Sequence, residues 1–361
     1  MKKQYFLLAT FFYAIAVFYL AATTPISPHE AKIFYTSQDI VSTFMKLGKS
    51  FIPGFFGLRI FFILFGFVSI LFFYEFSRRY FAKREDAYLS TFIFMLLPGI
   101  VTGSTLVNVA IIVLPLVLLF VLLYEKNHLV LLPFIMLALF FIHEASIIFF
   151  IAVLLYGIIH KDKTLSIFSG AFLLAFLYLA KGIEIGGQPS GHFAEIFGLY
   201  AAVFSPLVFL YFFYTMYRIL LREKKTLLWY ISFTALAFSL TLSIRQRISI
   251  TDFVPYVMIA IPLMLDLFHR SLRVRLPEFQ KRYDLGFKVV MASLFLSVFV
   301  IFIYQVMFFV VEDHKKYFSN RVYEPYFLAK ELKSKGIHCK DTSNVRERYQ
   351  LQYYNITPCT E

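Results

Sequence analysis

Histidine and glutamate stand side by side twice in this chain, as His29-Glu30 and as His143-Glu144. Each pair sits at the edge of an apolar stretch. Imidazole and carboxylate suit general acid–base work, because an apolar surrounding can move a carboxyl pKa up toward working pH. Glu30, with His29 beside it, is placed to deprotonate a hydroxyl or to steady a developing positive charge. The structural alternative is a helix-capping pair. With His192, the two dipeptides also offer divalent-metal ligands. They come from three separate loops with no local spacing rule, so hydrogen bonding between helices is the stronger reading of His143 and Glu144.

A second set of residues is cationic. Arg245 and Arg247 are separated by one residue and precede Asp252. A guanidinium offers a planar fork of donors that suits a phosphate. Lys46, Lys49 and Lys181 add positive charge on the same side of the membrane, and Arg59 stands just inside the second span. The rival role is snorkelling to lipid headgroups. On a continuous helix Arg245 and Arg247 would diverge, so a shared ligand needs a bent or extended segment between them. No Walker loop, dinucleotide fingerprint, HExxH or CxxC array accompanies these residues.

The elements that carry them are membrane helices. Apolar residues form 60% of the 361-residue chain, with 47 Phe, more than a soluble core can hide. Eleven apolar stretches are read at about 5–23, 56–75, 87–102, 109–124, 129–142, 146–160, 164–180, 198–217, 226–244, 251–268 and 287–311. Every second loop is basic, from Lys2 and Lys3 through Arg78, Arg79, Lys126, Lys161 and Arg222 to the run Arg270–Lys288. The positive-inside rule assigns these loops to the cytoplasm, with an internal N-terminus, an external C-terminus and the polar pairs outside. The net charge of +13 therefore serves topology and anionic lipid, and no nucleic-acid signature goes with it.

The outer loop 24–55 is the longest between spans. Pro25 and Pro28 stop the first helix. Ile33, Ile40, Phe44 and Leu47 then fall on one helical face, which suggests an interfacial helix. The short paired stretches 129–142 and 146–160 are separated by a turn at His143-Glu144, which keeps those groups from the bilayer centre. Gly186 to Gly191 makes a turn-rich connector. The segment 312–361 reads as a small external tail with a helix near 324–335 and a strand near 349–354. It holds both cysteines, Cys339 and Cys359, which an oxidising outer compartment would pair.

With these residues in view, the chain resembles the GT-C membrane glycosyltransferases, in their protein O-mannosyltransferase and aminoarabinose-transferase branch. Pro28-His29-Glu30 stands where that branch carries an acidic pair after its first helix. Phe56-Gly57-Leu58-Arg59-Ile60, the run Tyr74 to Phe81 and Leu97-Pro98-Gly99 continue the likeness over roughly residues 1–160. The pattern departs where it matters: His29 replaces the catalytic aspartate, Asn108 falls near a second acidic position, and Lys49-Ser50-Phe51-Ile52-Pro53 stands for a Lys-Pro-Pro segment.

The resemblance implies an all-α polytopic fold, a GT-C-like bundle over 1–311. It implies a bacterial inner-membrane enzyme that moves a sugar from a polyprenyl-phosphate donor to a glycan, lipid or protein acceptor. Glu30 and His29 would do the chemistry. Lys49, Arg59, Lys181, Arg245 and Arg247 would hold the lipid phosphate, with His143 and Glu144 in support. No cofactor is required, and a divalent metal is the less favoured addition. The rivals are a surface-polysaccharide polymerase or flippase-like protein, and a non-catalytic transporter or assembly factor on the same scaffold.

Overall fold

The computed structural model describes residues 1–179, 191–310 and 320–359, with the side chains of 305–310 left aside. The described residues form α-helices, short 3₁₀ turns and one isolated parallel bridge between Cys339 and Thr357. Four helices are long and apolar enough to cross a membrane: Lys3–Thr23, Phe55–Tyr80, Leu227–Arg245 and the segment Pro277–Tyr304 of the helix Pro277–Val310. The count rises to six if each of two bent pairs makes one span. Large apolar side chains stand exposed along these helices, among them Phe11, Leu71, Leu296 and Phe299. Water would not tolerate so much exposed apolar surface, whereas hydrocarbon solvates it. The protein is an integral membrane protein.

Several of the expected stretches are broken, and proline explains where. The stretch 87–102 splits into Arg84–Met95 and Pro98–Thr105 with a 59° bend. The residue before a proline is pushed out of helical geometry, and Pro98 starts the second piece. The stretch 198–217 splits into Phe193–Phe204 and Pro206–Arg222, bent by 108°. There Ser205 precedes Pro206 and takes φ +81°, in the left-handed region that non-glycine residues rarely enter. The stretch 251–268 becomes four short pieces, Ile250–Asp252, Val254–Val257, Met258–Ala260 and Ile261–Arg273. By contrast, the turn expected at His143-Glu144 is present. His143 ends the helix Leu132–Ile142 in extended geometry, and Ser146–Ile159 begins just beyond.

The chain forms two compact units. One comprises Met1–Phe12, Phe65–Gly103 and Asn108–Val298; the other comprises Tyr13–Leu64, Ser104–Val107 and Phe299–Glu361. In the second unit, the single interfacial helix expected over 30–47 is two helices, Pro28–Thr36 and Ile40–Phe51. Asp39 makes the break, because its carboxylate caps the Ser42 N–H at 2.8 Å and starts a new helix. Gly48 and Gly57 let the Ile40 helix approach the second long helix: a Cβ at Gly48 would lie 2.2 Å from the Gly57 carbonyl oxygen.

The tail belongs to this second unit. Residues 349–353 are helical, within Val345–Tyr353, and not the strand expected there. Asn344 caps that helix by accepting from the Arg346 N–H at 3.1 Å. The tail is tied to the segment after the first helix by Gln350, which is buried and donates to the carbonyls of Ile26 (2.9 Å) and Arg321 (3.1 Å). Cys339 and Cys359 are disulfide-bonded, with Cα atoms 4.9 Å apart, inside the range a bridge requires. Their paired replacement by serine is expected to lower tail stability by about 3 kcal/mol in the chain-entropy picture. Limited proteolysis of the full chain checks this: faster cleavage within the tail is the expected result, and an unchanged rate contradicts it.

Candidate functional site

Glu30 is the third residue of the helix Pro28–Thr36, and its setting follows from the local sequence. Ser27-Pro28-His29-Glu30 forms a capping box. The Ser27 hydroxyl oxygen accepts from the Glu30 N–H at 3.2 Å, and Glu30 Oε2 accepts from the Ser27 N–H at 2.8 Å. Pro28 occupies the first helical position, where no N–H is needed. The rest of the carboxylate faces Arg59, near the start of the helix Phe55–Tyr80. Arg59 Nε donates to Oε1 at 2.8 Å and Nη2 to Oε2 at 2.7 Å. The Val107 N–H adds a bond to Oε1 at 3.0 Å. Glu30 therefore accepts four hydrogen bonds, two on each oxygen, and is only 1% exposed.

Arg59 is equally committed. Its Nη1 donates to the carbonyls of Ala21 (3.0 Å) and Thr24 (2.7 Å), and Nη2 also reaches the Pro25 carbonyl at 3.0 Å. With the two bonds to Glu30, all five N–H groups of the guanidinium are used. The side chain is fully buried. It caps the C-terminal carbonyls of the first long helix, where a positive charge also favours the helix dipole. No donor remains for the lipid phosphate assigned to Arg59 from sequence. This Arg59–Glu30 pair fixes the exit of the first helix and the start of the next.

The same geometry changes the expectation for Glu30. Burial by itself would raise the carboxyl pKa. The Arg59 charge, its hydrogen bonds and the N–H groups of Ser27 and Val107 outweigh burial and hold the pKa below the usual carboxylate range. The raised pKa anticipated for a base is absent. His29, one residue earlier, is exposed. Partial desolvation of its ring outweighs the neighbouring Glu30 carboxylate, and with the Lys32 and Arg346 charges it lowers the imidazole pKa. The lowered pKa favours the neutral imidazole, the form that can accept a proton.

Lys49 lies in the same unit, near the end of the helix Ile40–Phe51. Its ammonium sits over two rings, 4.3 Å from the Tyr353 centroid and 4.9 Å from that of Phe34. Partial burial lowers its pKa. Among the described residues no carboxylate pairs with it. Phe34 and Tyr353 meet edge to face, and Tyr35 stacks on Tyr349, so the tail helix completes this aromatic wall.

The remaining candidates lie in the first unit. The helix Leu227–Arg245 ends at Arg245, and Gln246 is extended at φ −140° and ψ 157°. The bend required between Arg245 and Arg247 is therefore present. Arg247 pairs with Glu195, which also faces His192 at 3.3 Å. His143 Nε2 lies 3.1 Å from Asp252 Oδ1, joining the end of one helix to the turn Ile250–Asp252. Glu144 is exposed. Asn108 accepts from the Ala110 N–H at 2.9 Å and caps a helix. Lys181 and most of the glycine-rich connector lie outside the described residues. Among the described residues, no group of three or more His, Cys, Asp or Glu side chains is gathered to hold a metal ion.

The helix-capping alternative for His29-Glu30 is the one present, as a Ser27–Glu30 capping box, with Glu30 buried rather than solvated. Sequence reasoning could not have found Arg59 as the partner of Glu30, because no spacing rule links residues 29 apart.

No family model and no curated protein matches the chain. Solved structures do. The crystal structure of ArnT from Cupriavidus metallidurans in the apo state aligns with a TM-score of 0.53 and 13% identity, over 97% of this chain and 74% of that one. The structure of the same protein bound to undecaprenyl phosphate aligns with a TM-score of 0.56 and 11% identity, over 98% and 75%. The fold is GT-C-like. Identity this low carries the architecture alone, so the residues above rest on their own geometry.

Proposed function

We propose that the chain is a polyprenyl-phosphate-dependent glycosyltransferase acting on the face opposite its basic loops. The observation that carries the reading is the likeness of nearly the whole chain to an ArnT structure that holds undecaprenyl phosphate. Three features of this chain support it. Lys49 is a cation on an aromatic wall with no carboxylate partner among the described residues. Arg245 and Arg247 flank an extended residue. His29 is a neutral imidazole on a turn held rigid by the Arg59–Glu30 pair.

In this mechanism the carrier phosphate is the leaving group, and Lys49, in the same unit as His29, stabilises the charge it gains. His29 takes the proton of the acceptor hydroxyl, whose oxygen attacks the anomeric carbon as the bond to phosphate breaks. Glu30, committed to Arg59 and to the Ser27 and Val107 N–H groups, does not itself receive the proton. The basic-loop rhythm orients the N-terminus to the cytoplasm and the tail outside.

The arginine pair gives the test. Arg245→Ala with Arg247→Ala is expected to weaken binding of undecaprenyl phosphate about tenfold or more, since each charge-assisted bond contributes about 1.5–3 kcal/mol. Lysine at either site should cost less, because lysine keeps the charge and loses only the fork. Titration of the carrier lipid into the full chain in nanodiscs measures this. Equal affinity of the double variant and the parent would make these arginines headgroup anchors.

A further inference from the structure

At the opposite, basic end of the first unit lies a cavity of about 260 Å³ that the transfer reaction does not use. Its walls come from the helices Arg84–Met95, Pro206–Arg222, Ile261–Arg273 and Pro277–Val310. Val208, Met264, Phe268, Phe287 and Met291 line it. Tyr211 turns its hydroxyl to the Met264 carbonyl at 3.3 Å, which leaves the wall apolar. No carboxylate lines the space.

The rim is cationic. Arg282 lines the cavity, is exposed, and makes no hydrogen bond or ion pair among the described residues. Arg275 lies with its guanidinium 4.3 Å from the ring centroid of Tyr283, another lining residue. Asp284, the acidic residue between them and the apolar part of the helix, is held by Lys288 at 2.8 Å. Gly286 opens the wall, because a Cβ built there meets nothing within 4 Å.

We propose that this cavity holds an acyl chain of an anionic phospholipid, with the lipid phosphate at Arg282 and Arg275. An apolar slot beside two guanidinium groups that have no carboxylate partner among the described residues matches an apolar tail joined to a negative headgroup. The same helices supply further charge through Arg273 and Lys281, while Arg270 is paired with Glu223 and Asp266. The site serves anchoring of the bundle and is separate from the carrier-lipid binding proposed above.

The test uses the full chain, delipidated in detergent and offered phosphatidylglycerol and phosphatidylcholine with identical acyl chains in equal amounts. Native mass spectrometry then counts retained lipid. Phosphatidylglycerol should be retained about tenfold or more over phosphatidylcholine, given about 1 kcal/mol for each arginine near the headgroup. Arg282→Gln, a surface change, should cut that preference while leaving the protein folded. Gly286→Phe should fill the slot and reduce retention of both lipids. Equal retention of the two lipids by the parent overturns the proposal. So does phosphatidylglycerol binding that neither variant changes, or its displacement by undecaprenyl phosphate, which would assign the slot to the carrier.

Discussion

Arg59→Met should destabilise the protein by about 3–5 kcal/mol, the usual cost of removing one partner from a buried ion pair. The variant leaves Glu30 charged and buried, and it strips donors from the carbonyls of Ala21, Thr24 and Pro25. Glu30→Gln should also destabilise, although it keeps the side chain's shape. Its amide cannot match the Arg59 charge, and its nitrogen would face an N–H that now has a carboxylate oxygen to meet. The double variant Glu30→Gln/Arg59→Met removes both charges and should be more stable than the sum of the single losses predicts. Thermal melting of the detergent-solubilised chain measures all three. The pH dependence has a definite sign. The folded pKa of Glu30 is depressed, so its contribution is complete above the ordinary carboxyl value of about 4.3 and is lost as pH falls through the folded value. A melting temperature unchanged in either single variant would remove the pair from the account of the fold.

His29→Ala separates chemistry from folding. The residue is exposed, so stability should move by no more than about 0.5 kcal/mol. Loss of a general base should lower transfer by about 10²- to 10⁴-fold. Because the imidazole pKa is lowered, the neutral form dominates at pH 7. Wild-type activity should therefore be flat from pH 7 upward and fall as acid protonates His29, whereas the residual activity of the variant should lack that fall. Wild-type-like turnover by His29→Ala would leave the turn without a chemical role.

The membrane class was legible in sequence, and the reasons are local. Phe-rich runs and alternating basic loops need no tertiary information. The extended break at Gln246 was legible as a requirement, because two arginines one residue apart cannot share a ligand on a helix. The disulfide was legible as two cysteines in one tail, and the bond is present. What failed was long-range or competed with local pattern. Glu30 reads as a base until Arg59 is seen to consume it. Asp252 reaches His143 across 109 residues, beyond any motif. Tyr349-Gln350-Leu351-Gln352-Tyr353 alternates like a strand, yet Asn344 caps it into a helix and Gln350 is buried to bind the Ile26 carbonyl. Proline cut the apolar stretches at Pro98 and Pro206 where hydropathy alone ran through.

The central claim is that this chain takes a sugar from a polyprenyl-phosphate carrier. The direct measurement is the pool of polyprenyl-phosphate-linked sugars, extracted from membranes and quantified by mass spectrometry. The cells compared lack the protein, or carry the wild type or His29→Ala at matched membrane levels. The account predicts that one lipid-linked sugar accumulates in the absence of the protein, returns to its normal level with the wild type, and stays high with His29→Ala. Identical pools in all three membranes would contradict it.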